Sequence, residues 1–228
     1  MLIPWSSLAF MALPLVGLGF IMSRWGFSIK PLGIASLRMV LQLLAVGYVL
    51  VFLFEAPNPW VSGAVFGVML LASTLIAKRH MKKGGLGALK MLLLSIFIAS
   101  ACMLALVLHV IDATPWYHPQ YFIPLAGMIV ASSMNALSLF AERLVSELEN
   151  HPFEVARNKA FNASLIPQFN GFLAVGLVSL PGMMTGQILA GVSPMIAVRY
   201  QIVVMVMILC TAAFSVIIYT FLNKKSGH

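Results

Sequence analysis

The residues with the clearest chemical potential surround a proline–glycine pair inside a long apolar stretch. Pro181 and Gly182 interrupt the run at residues 173–200, because proline removes a backbone donor and glycine adds conformational freedom. In hydrocarbon, the backbone groups freed by a break need protein or a water-lined cavity to satisfy them. The pattern is typical of discontinuous helices with which transporters contact a substrate; a proline kink without a ligand is the alternative.

Other polar side chains also lie inside apolar stretches. Arg38 and Gln42 are four residues apart and therefore share a helical face. Arg38 lies roughly 10 Å from the cytoplasmic end of its helix, so snorkelling explains it as well as a role in transport does. Gln42 is too deep to snorkel and is expected to contact protein or line a path. The other side chains predicted to line the path are Met128, Ser132, Ser133, Asn135, Met183, Met184, Thr185 and Gln187.

The chain lacks the groups that several other functions require. No Asp or Glu lies deep in an apolar stretch, whereas ion-coupled carriers usually use intramembrane acids as relays or ligands. The glycine-rich run at residues 84–90 lacks P-loop spacing, and no HExxH or GxSxG motif occurs. Methionine thioethers suit soft metal ions, but with 15 methionines core packing is the simpler explanation. The sequence thus predicts neither an enzyme nor a nucleotide site in this chain, and it assigns no metal ligands.

The composition is that of an integral membrane protein. The 228 residues are 61% hydrophobic and 9% charged, whereas a soluble domain is about 25% charged. We predict an all-α, polytopic fold of about seven transmembrane helices, each near the ~20 residues that cross a bilayer. Residues 1–228 are predicted to form a single transmembrane domain. The predicted spans cover about residues 3–22, 31–54, 60–77, 86–111, 121–140, 165–190 and 200–222, with the sixth broken at Pro181–Gly182.

Basic residues set the predicted orientation. In a seven-span layout every Lys and Arg except Arg38 and Arg199 lies on one side, in loops, in the tail or, for Lys90, near the start of a span. The positive-inside rule therefore predicts an outside N-terminus and a cytoplasmic C-terminus. The net charge of +8 is explained by these flanking residues, so nucleic acid is not expected as a partner.

Residues 141–164 differ in character from the spans and predict a helical hairpin in the cytoplasm. The charges at Glu142 and Glu147 indicate that the fifth span continues as a solvated helix. Pro152 suits the start of the next helix, with an acid near its N-terminus. Phe153, at the turn, has no obvious membrane to enter, so we predict docking of a partner ATPase; an ordinary connecting loop is the alternative. The predicted docking residues are Glu149, His151, Pro152, Phe153, Glu154 and Arg157.

Three stretches are long enough to compare with known families. They are RMVLQLLAVGYVL at residues 38–50, IPLAGMIVASSMN at 123–135 and VGLVSLPGMMTGQILAGVSPMIAVRYQI at 175–202. They resemble the FetB-type iron-export permeases of ABC transporters, which include plant proteins linked to aluminium tolerance. The resemblance implies a homodimeric permease subunit in the bacterial inner membrane, paired with a cytoplasmic subunit that binds ATP and Mg. It also implies export of iron, although sugar-nucleotide transport by plant relatives leaves the substrate open.

Two features depart from this family pattern. The hairpin is shorter than in other members and lacks their Leu-Gly-Ala-Thr-Pro-like turn, while Ser132 and Ser133 replace a usual Gly-Asn pair. Both departures leave the substrate and the coupling to an ATPase open. A permease for another substrate and a non-transporting anchor or sensor for a cytoplasmic partner are the alternatives. The shortened hairpin favours an anchor, whereas polar side chains at mid-membrane count against it.

Overall fold

The computed structural model describes residues 4–55, 57–79 and 85–226. Over these residues the chain is helical and has no strands, which confirms the predicted all-α class. The helices are α1 (Trp5–Ala9), α2 (Ala12–Arg24), α3 (Lys30–Glu55), α4 (Pro59–Lys78), α5 (Leu86–Val110), α6 (Pro119–Leu148), α7 (Phe153–Ala174), α8 (Gly182–Leu189) and α9 (Pro194–Ser226).

Six helices in the described ranges are long and apolar enough to cross a membrane. They correspond to predicted spans one to five and seven, and they confirm a multi-pass membrane protein. The sixth predicted span is divided between α7 and α8, so the count of seven and the orientation stay predictions. Residue 3, where span one is predicted to begin, and residue 84 of the glycine-rich run lie outside the described residues.

The chain divides into two compact units, residues 1–55 and 56–228. The first contains α1, α2 and α3, and its large apolar side chains are mostly exposed, as Phe10 and Phe52 show. Large exposed apolar surfaces are typical of sites that meet a membrane or another protein. The single domain over residues 1–228 stays a prediction.

In the second unit, α6 is the central helix and packs against α4, α5, α7 and α9. Leu92 and Phe140 are fully buried in the core, and Phe140 meets Tyr219 edge to face with ring centroids 6.3 Å apart. Lipid is as apolar as leucine, so van der Waals packing rather than escape from water must hold such a core together. Fully buried small residues such as Ala136 and Ala160 let the helices approach closely.

Buried hydroxyl groups in this unit mostly bond to their own helix. Thr74, Ser95 and Thr211 each donate to the carbonyl four residues earlier. This back-bonding satisfies the hydroxyl group without a partner on another helix. A contact between elements is made by Ser62, whose Oγ donates to the Tyr117 carbonyl at 2.7 Å and ties the start of α4 to the loop before α6.

Candidate functional site

The break in the sixth predicted span is a seven-residue loop rather than a kink. α7 ends at Ala174 and α8 begins at Gly182, so the helix stops well before the predicted point at Pro181–Gly182. Gly176 has a φ of 82°, a left-handed conformation that glycine adopts without steric cost. Pro181, with φ −61°, sits immediately before α8. The prediction of a helix broken at Pro181–Gly182 is confirmed, and the break also extends back to Val175 because Gly176 turns the chain before the proline is reached.

The loop satisfies its own first backbone donors. The N–H groups of Leu177, Val178 and Ser179 all donate to the Ala174 carbonyl, at 3.2, 2.8 and 3.2 Å. The Gly176 N–H donates to the Ser179 carbonyl at 3.0 Å. Internal bonding of this kind is what irregular backbone at membrane depth requires. It leaves side chains and helix ends, rather than these donors, as the groups that a substrate could contact.

A cavity of about 290 Å³ lies beside the loop, between the end of α7, α8 and α9. Its lining is almost entirely apolar and includes Met184, which is one of the predicted path residues. The exception is Gln201, whose side chain lines the cavity while being only 5% exposed. Its Oε1 has no hydrogen-bond partner within the described part of the chain. The break therefore adjoins an apolar cavity, and one residue of the lining, Gln201, has an amide oxygen that is closed to solvent.

The remaining α8 residues surround the break without closing one site. Pro181, Met183, Thr185 and Gln187 are half-buried, and Gly182 is exposed. The Thr185 hydroxyl donates to the Pro181 carbonyl at 3.2 Å, which fastens the first turn of α8. Gln187 Oε1 is buried and unpartnered among the described residues, so it is a second amide near the break.

The predicted polar patch of span five is split between two faces of α6. Ser132 is buried and donates to the Ile129 carbonyl at 2.8 Å. Ser133 is fully buried, and its Oγ has no partner in the described ranges. Asn135, by contrast, is exposed, and Met128 is half-buried. Ser132 and Ser133 thus face the core of the unit, while Asn135 points away from it.

Arg38 and Gln42 belong to the first unit, on α3. Both side chains are exposed. The expected protein contact of Gln42 is therefore not made within its own unit. A shared path between these two residues and α6 or α8 stays a prediction.

The predicted hairpin has its helices and turn at the expected positions. α6 ends at Leu148 and α7 begins at Phe153, directly after Pro152, with Glu154 in its first turn. Glu149, Pro152 and Glu154 are exposed, and His151 is half-buried. The cytoplasmic position of the hairpin stays a prediction.

A charge cluster holds the two arms of this hairpin together. Glu147 accepts from Arg143 at 2.6 Å and from Lys159 at 3.0 Å, and it lies 3.5 Å from His151. The Glu147 side chain is only 9% exposed. The hydrogen bond from Lys159 is the largest cause that lowers the pKa of Glu147; burial opposes it, and the charge of Arg143 adds to the lowering. Since Lys159 lies on α7, this pair joins the helices across the turn.

His151 completes the cluster through a contact with Lys159. The Lys159 Nζ lies 2.6 Å from His151 Nε2, which is within hydrogen-bond distance. Arg143, Glu147 and His151 follow each other at intervals of four, which is a signal for one helical face. In the sequence these charges indicate only a solvated helix. The position of Lys159 beside Glu147 depends on the fold of the hairpin.

Phe153 forms one wall of a groove instead of projecting alone. The groove measures about 330 Å³ and runs between α7 and the end of α9, where Phe161 and Phe221 supply further apolar walls. Phe153 remains 37% exposed. Arg157 also lines the groove, and its guanidinium donates to Asn158 Oδ1 at 3.2 and 3.0 Å. The arrangement offers apolar and cationic surface to a partner.

Across residues 4–55, 57–79 and 85–226, no group of three or more His, Cys, Asp or Glu side chains could hold a metal ion. Cys102 and Cys210 are free thiols. The site residues that the sequence analysis missed are Gln201, Arg143 and Lys159. For Gln201, an amide inside an apolar span was an available signal, the same one that selected Gln42.

The chain matches one family model and several curated proteins. The model of the uncharacterised protein family UPF0014 matches residues 5–157 and 151–226. A UPF0014 membrane protein of Synechocystis is 38% identical, over 95% of this chain and 90% of its own length. The probable iron export permease protein FetB of Escherichia coli is 31% identical, over 82% of this chain and 78% of its own length.

A plant protein is similar to the same extent. The protein ALUMINUM SENSITIVE 3 of Arabidopsis thaliana is 32% identical, over 81% of this chain and 72% of its own length. No solved structure matches the chain. The two matches to the family model overlap at residues 151–157, within the predicted hairpin. The chain belongs to the UPF0014 family of membrane proteins.

Proposed function

We propose that the chain is the permease subunit of an ATP-driven transporter that exports iron with a separate ATP-binding subunit. The observation that carries this proposal is the hairpin: its arms are joined by the Glu147–Lys159 pair. Beside the pair lies the groove walled by Phe153. A firmly held apolar surface is what a protein partner needs for docking, because little ordering entropy is lost when it binds.

The fold connects this docking surface to the break through single helices. α7 begins at Phe153 in the hairpin and ends at Ala174, where the loop begins. At about 1.5 Å per residue such a helix is roughly 33 Å long, and its first part, residues 153–164, belongs to the predicted hairpin. A movement imposed on the hairpin by an ATPase would therefore reach the cavity directly. α6, the other arm, packs on four neighbouring helices and would carry the movement into the core.

Iron is proposed as the substrate because of the relatives, and not because of a cluster of metal-binding side chains. The Escherichia coli relative is described as a probable iron export permease, and the resemblance of residues 175–202 points to the same class. In this proposal the path is lined by the residues named in the sequence analysis, together with Gln201. The chain acts as a homodimer in the bacterial inner membrane, and ATP and Mg bind to the partner subunit.

Reconstitution with the ATP-binding subunit tests the proposal. The complex is isolated by co-purification, placed in proteoliposomes and assayed for ATP hydrolysis during titration with ferrous iron and other divalent ions. We expect a stable complex whose hydrolysis is stimulated several-fold by iron. Failure of the two subunits to associate would contradict the proposal.

A membrane anchor or sensor is the second candidate. It is favoured by the hairpin turn at residues 151–157, where the family model matches the chain in two separate segments that overlap. The same reconstitution separates the candidates, because an anchor would bind its partner without any substrate-dependent hydrolysis. The broken helix counts against an anchor, since an anchor has no need of the discontinuous helices with which transporters contact a substrate.

A further inference from the structure

Another cavity lies where α5 ends and the chain turns toward α6, and we call it the α5-end cavity. It measures about 400 Å³, which is within the range of small-molecule sites, roughly 300–1,000 Å³. Its polar lining residues are His109, Asp112 and Thr114, and Trp116 adds an aromatic side chain. The lining includes none of the predicted path or docking residues. The α5-end cavity is therefore separate from the sites discussed above.

Asp112 occupies a position that normally belongs to glycine. The Ala113 N–H donates to the Leu108 carbonyl at 3.0 Å, and the Asp112 N–H donates to the His109 carbonyl at 3.1 Å. This is the hydrogen-bond pattern that closes a helix on a left-handed residue, and Asp112 has a φ of 51°, which costs free energy for any residue but glycine. Its carboxylate also lies beside the partial negative charge of the helix C-terminus. A bound cation would offset this repulsion.

The protein itself supplies no counter-charge to this carboxylate. Across the described ranges, the ion pairs all involve Glu147 and none involves Asp112. Asp112 is exposed, so its carboxylate is open to a ligand. Both the carboxylate and the helix end favour a positive charge. The α5-end cavity therefore selects a cation.

Trp116 adds a second group that attracts a cation. Its ring packs edge to face on Tyr117 and Phe122, with ring centroids 5.6 and 6.0 Å apart, and it is still 53% exposed. An indole ring attracts a cation placed over its face. Because its two neighbours already hold this ring, little side-chain entropy is lost when a ligand binds.

The lining also indicates which kind of cation fits. No group of three or more His, Cys, Asp or Glu side chains in the described residues could hold a metal ion. A quaternary ammonium is typically bound by a cage of several aromatic rings, whereas Trp116 is the one Trp, Tyr or Phe in this lining. A primary ammonium carries three N–H donors, which the Asp112 carboxylate and the Thr114 hydroxyl can accept. The chemistry favours an organic primary ammonium.

The exposed side of α5 indicates the source of this ammonium. Ala105 and His109 line the cavity, and the next residues along the helix, Leu106 and Val110, are 55% and 56% exposed. Leu106 and Val110 are four residues apart and share a helical face. Since α5 is long and apolar enough to cross a membrane, this face meets acyl chains, and the cavity at its end lies level with lipid headgroups.

We propose that the α5-end cavity binds the headgroup of a phospholipid that ends in a primary ammonium. The ammonium donates to the Asp112 carboxylate and lies against the ring of Trp116. An acyl chain of the same lipid follows Leu106 and Val110 along α5. The lipid thus holds the outer end of α5, as the predicted orientation has it, at the membrane surface.

Native mass spectrometry of the full-length chain in detergent tests this site. The protein is titrated with phosphatidylethanolamine and, separately, with phosphatidylcholine that has the same acyl chains, and the apparent Kd of the first bound lipid is measured. Asp112→Asn removes the charge but keeps a residue that accepts the left-handed conformation, and Trp116→Leu removes the ring. The matched controls are Glu55→Gln and Trp60→Leu, because both residues are exposed, are predicted to lie on the same side of the membrane, and do not line the cavity.

We expect the wild type to bind phosphatidylethanolamine about tenfold more tightly than phosphatidylcholine, the effect of one hydrogen bond to a charged group. Asp112→Asn should abolish this preference, Trp116→Leu should weaken binding of phosphatidylethanolamine about threefold, and the two controls should behave like the wild type. Equal affinity of the wild type for both lipids, or an unchanged preference in Asp112→Asn, would overturn the proposal. Displacement of the lipid by an equal concentration of free ethanolamine would also overturn it and assign the cavity to a soluble amine. The assay contains no ATP-binding subunit, so its outcome does not depend on the proposed function.

Discussion

At the residue scale, two side chains show how burial changes the chemistry of a group. Glu147 is a buried acid whose neighbours are mostly basic, and hydrogen bonding from Lys159 lowers its pKa. Gln201 is a buried amide whose oxygen lacks a partner in the described part of the chain. The first group is satisfied by the protein and stabilises a structure. The second is unsatisfied by the described residues, and its burial carries a free-energy cost.

The lowered pKa of Glu147 predicts a pH-dependent stability of the hairpin. A carboxyl group whose pKa is lower in the folded state stabilises the fold above its unfolded pKa, and this contribution is lost as the pH falls through the folded pKa. Relative to the ordinary value of 4.5, the loss should therefore occur on acidification below about pH 4.5. Thermal unfolding in detergent at pH 7 and at stepwise lower pH measures it.

Glu147→Gln is the variant that tests the origin of this stability. We expect its melting temperature at pH 7 to be a few degrees below that of the wild type, with the difference shrinking on acidification. Glu149→Gln, in an exposed neighbouring acid, is the control and should behave like the wild type. An equal effect of both substitutions at pH 7 would mean that the cluster does not hold the hairpin.

At the scale of elements, the sixth predicted span consists of the end of α7, a loop and α8, and the three parts make different contacts. α7 joins the hairpin to the break. The loop satisfies its first donors internally, and α8 presents Met184 to the cavity. Together, α7, the loop and α8 connect the groove of the hairpin to the cavity beside the break.

Coupling through the hairpin is tested by Phe153→Asp. A carboxylate in the apolar groove would disrupt docking, so ATP hydrolysis by the complex should lose its stimulation by iron while the protein remains folded. Val155→Asp is the matched control, because Val155 is a 44% exposed apolar residue in the same turn but does not line the groove. Normal iron stimulation in Phe153→Asp would exclude this docking role.

The shape of the break is tested by Gly176→Ala. With φ at 82°, an alanine would adopt a left-handed conformation at a cost of about 1–2 kcal/mol. We expect a lower melting temperature and reduced transport. Gly186→Ala is the control, since Gly186 lies within α8 and a Cβ there would meet nothing within 4 Å. If the two variants have the same stability, the left-handed turn is not required for the break.

At the scale of the whole molecule, the charge pattern predicts an orientation that the fold alone does not reveal. Asn150 in the hairpin should face the cytoplasm, and Ser193 before α9 should face outward. Both are exposed. In a background without Cys102 and Cys210, Asn150→Cys should react with an impermeant maleimide only in inside-out vesicles, and Ser193→Cys only in right-side-out vesicles. The reverse pattern would invert the topology and make the predicted direction of transport wrong.

Much of the architecture was predictable because it depends on local patterns. Runs of apolar residues located the spans, and Pro152 located the turn of the hairpin. The extent of the break was not predictable, since the left-handed conformation of Gly176 depends on the hydrogen bonds that the loop makes to Ala174. The pairing of Glu147 with Lys159 and the placing of Gln201 in a cavity both require tertiary contacts, which no local spacing encodes.

The most direct test of the account is ATP-dependent movement of iron. Inside-out proteoliposomes that contain the chain and its ATP-binding subunit are supplied with radioactive iron, with and without ATP. We expect iron to accumulate in the lumen only with ATP and both subunits, and we expect Phe153→Asp to prevent accumulation. A stable complex that hydrolyses ATP but moves no iron would contradict the claim that this chain is an iron-export permease.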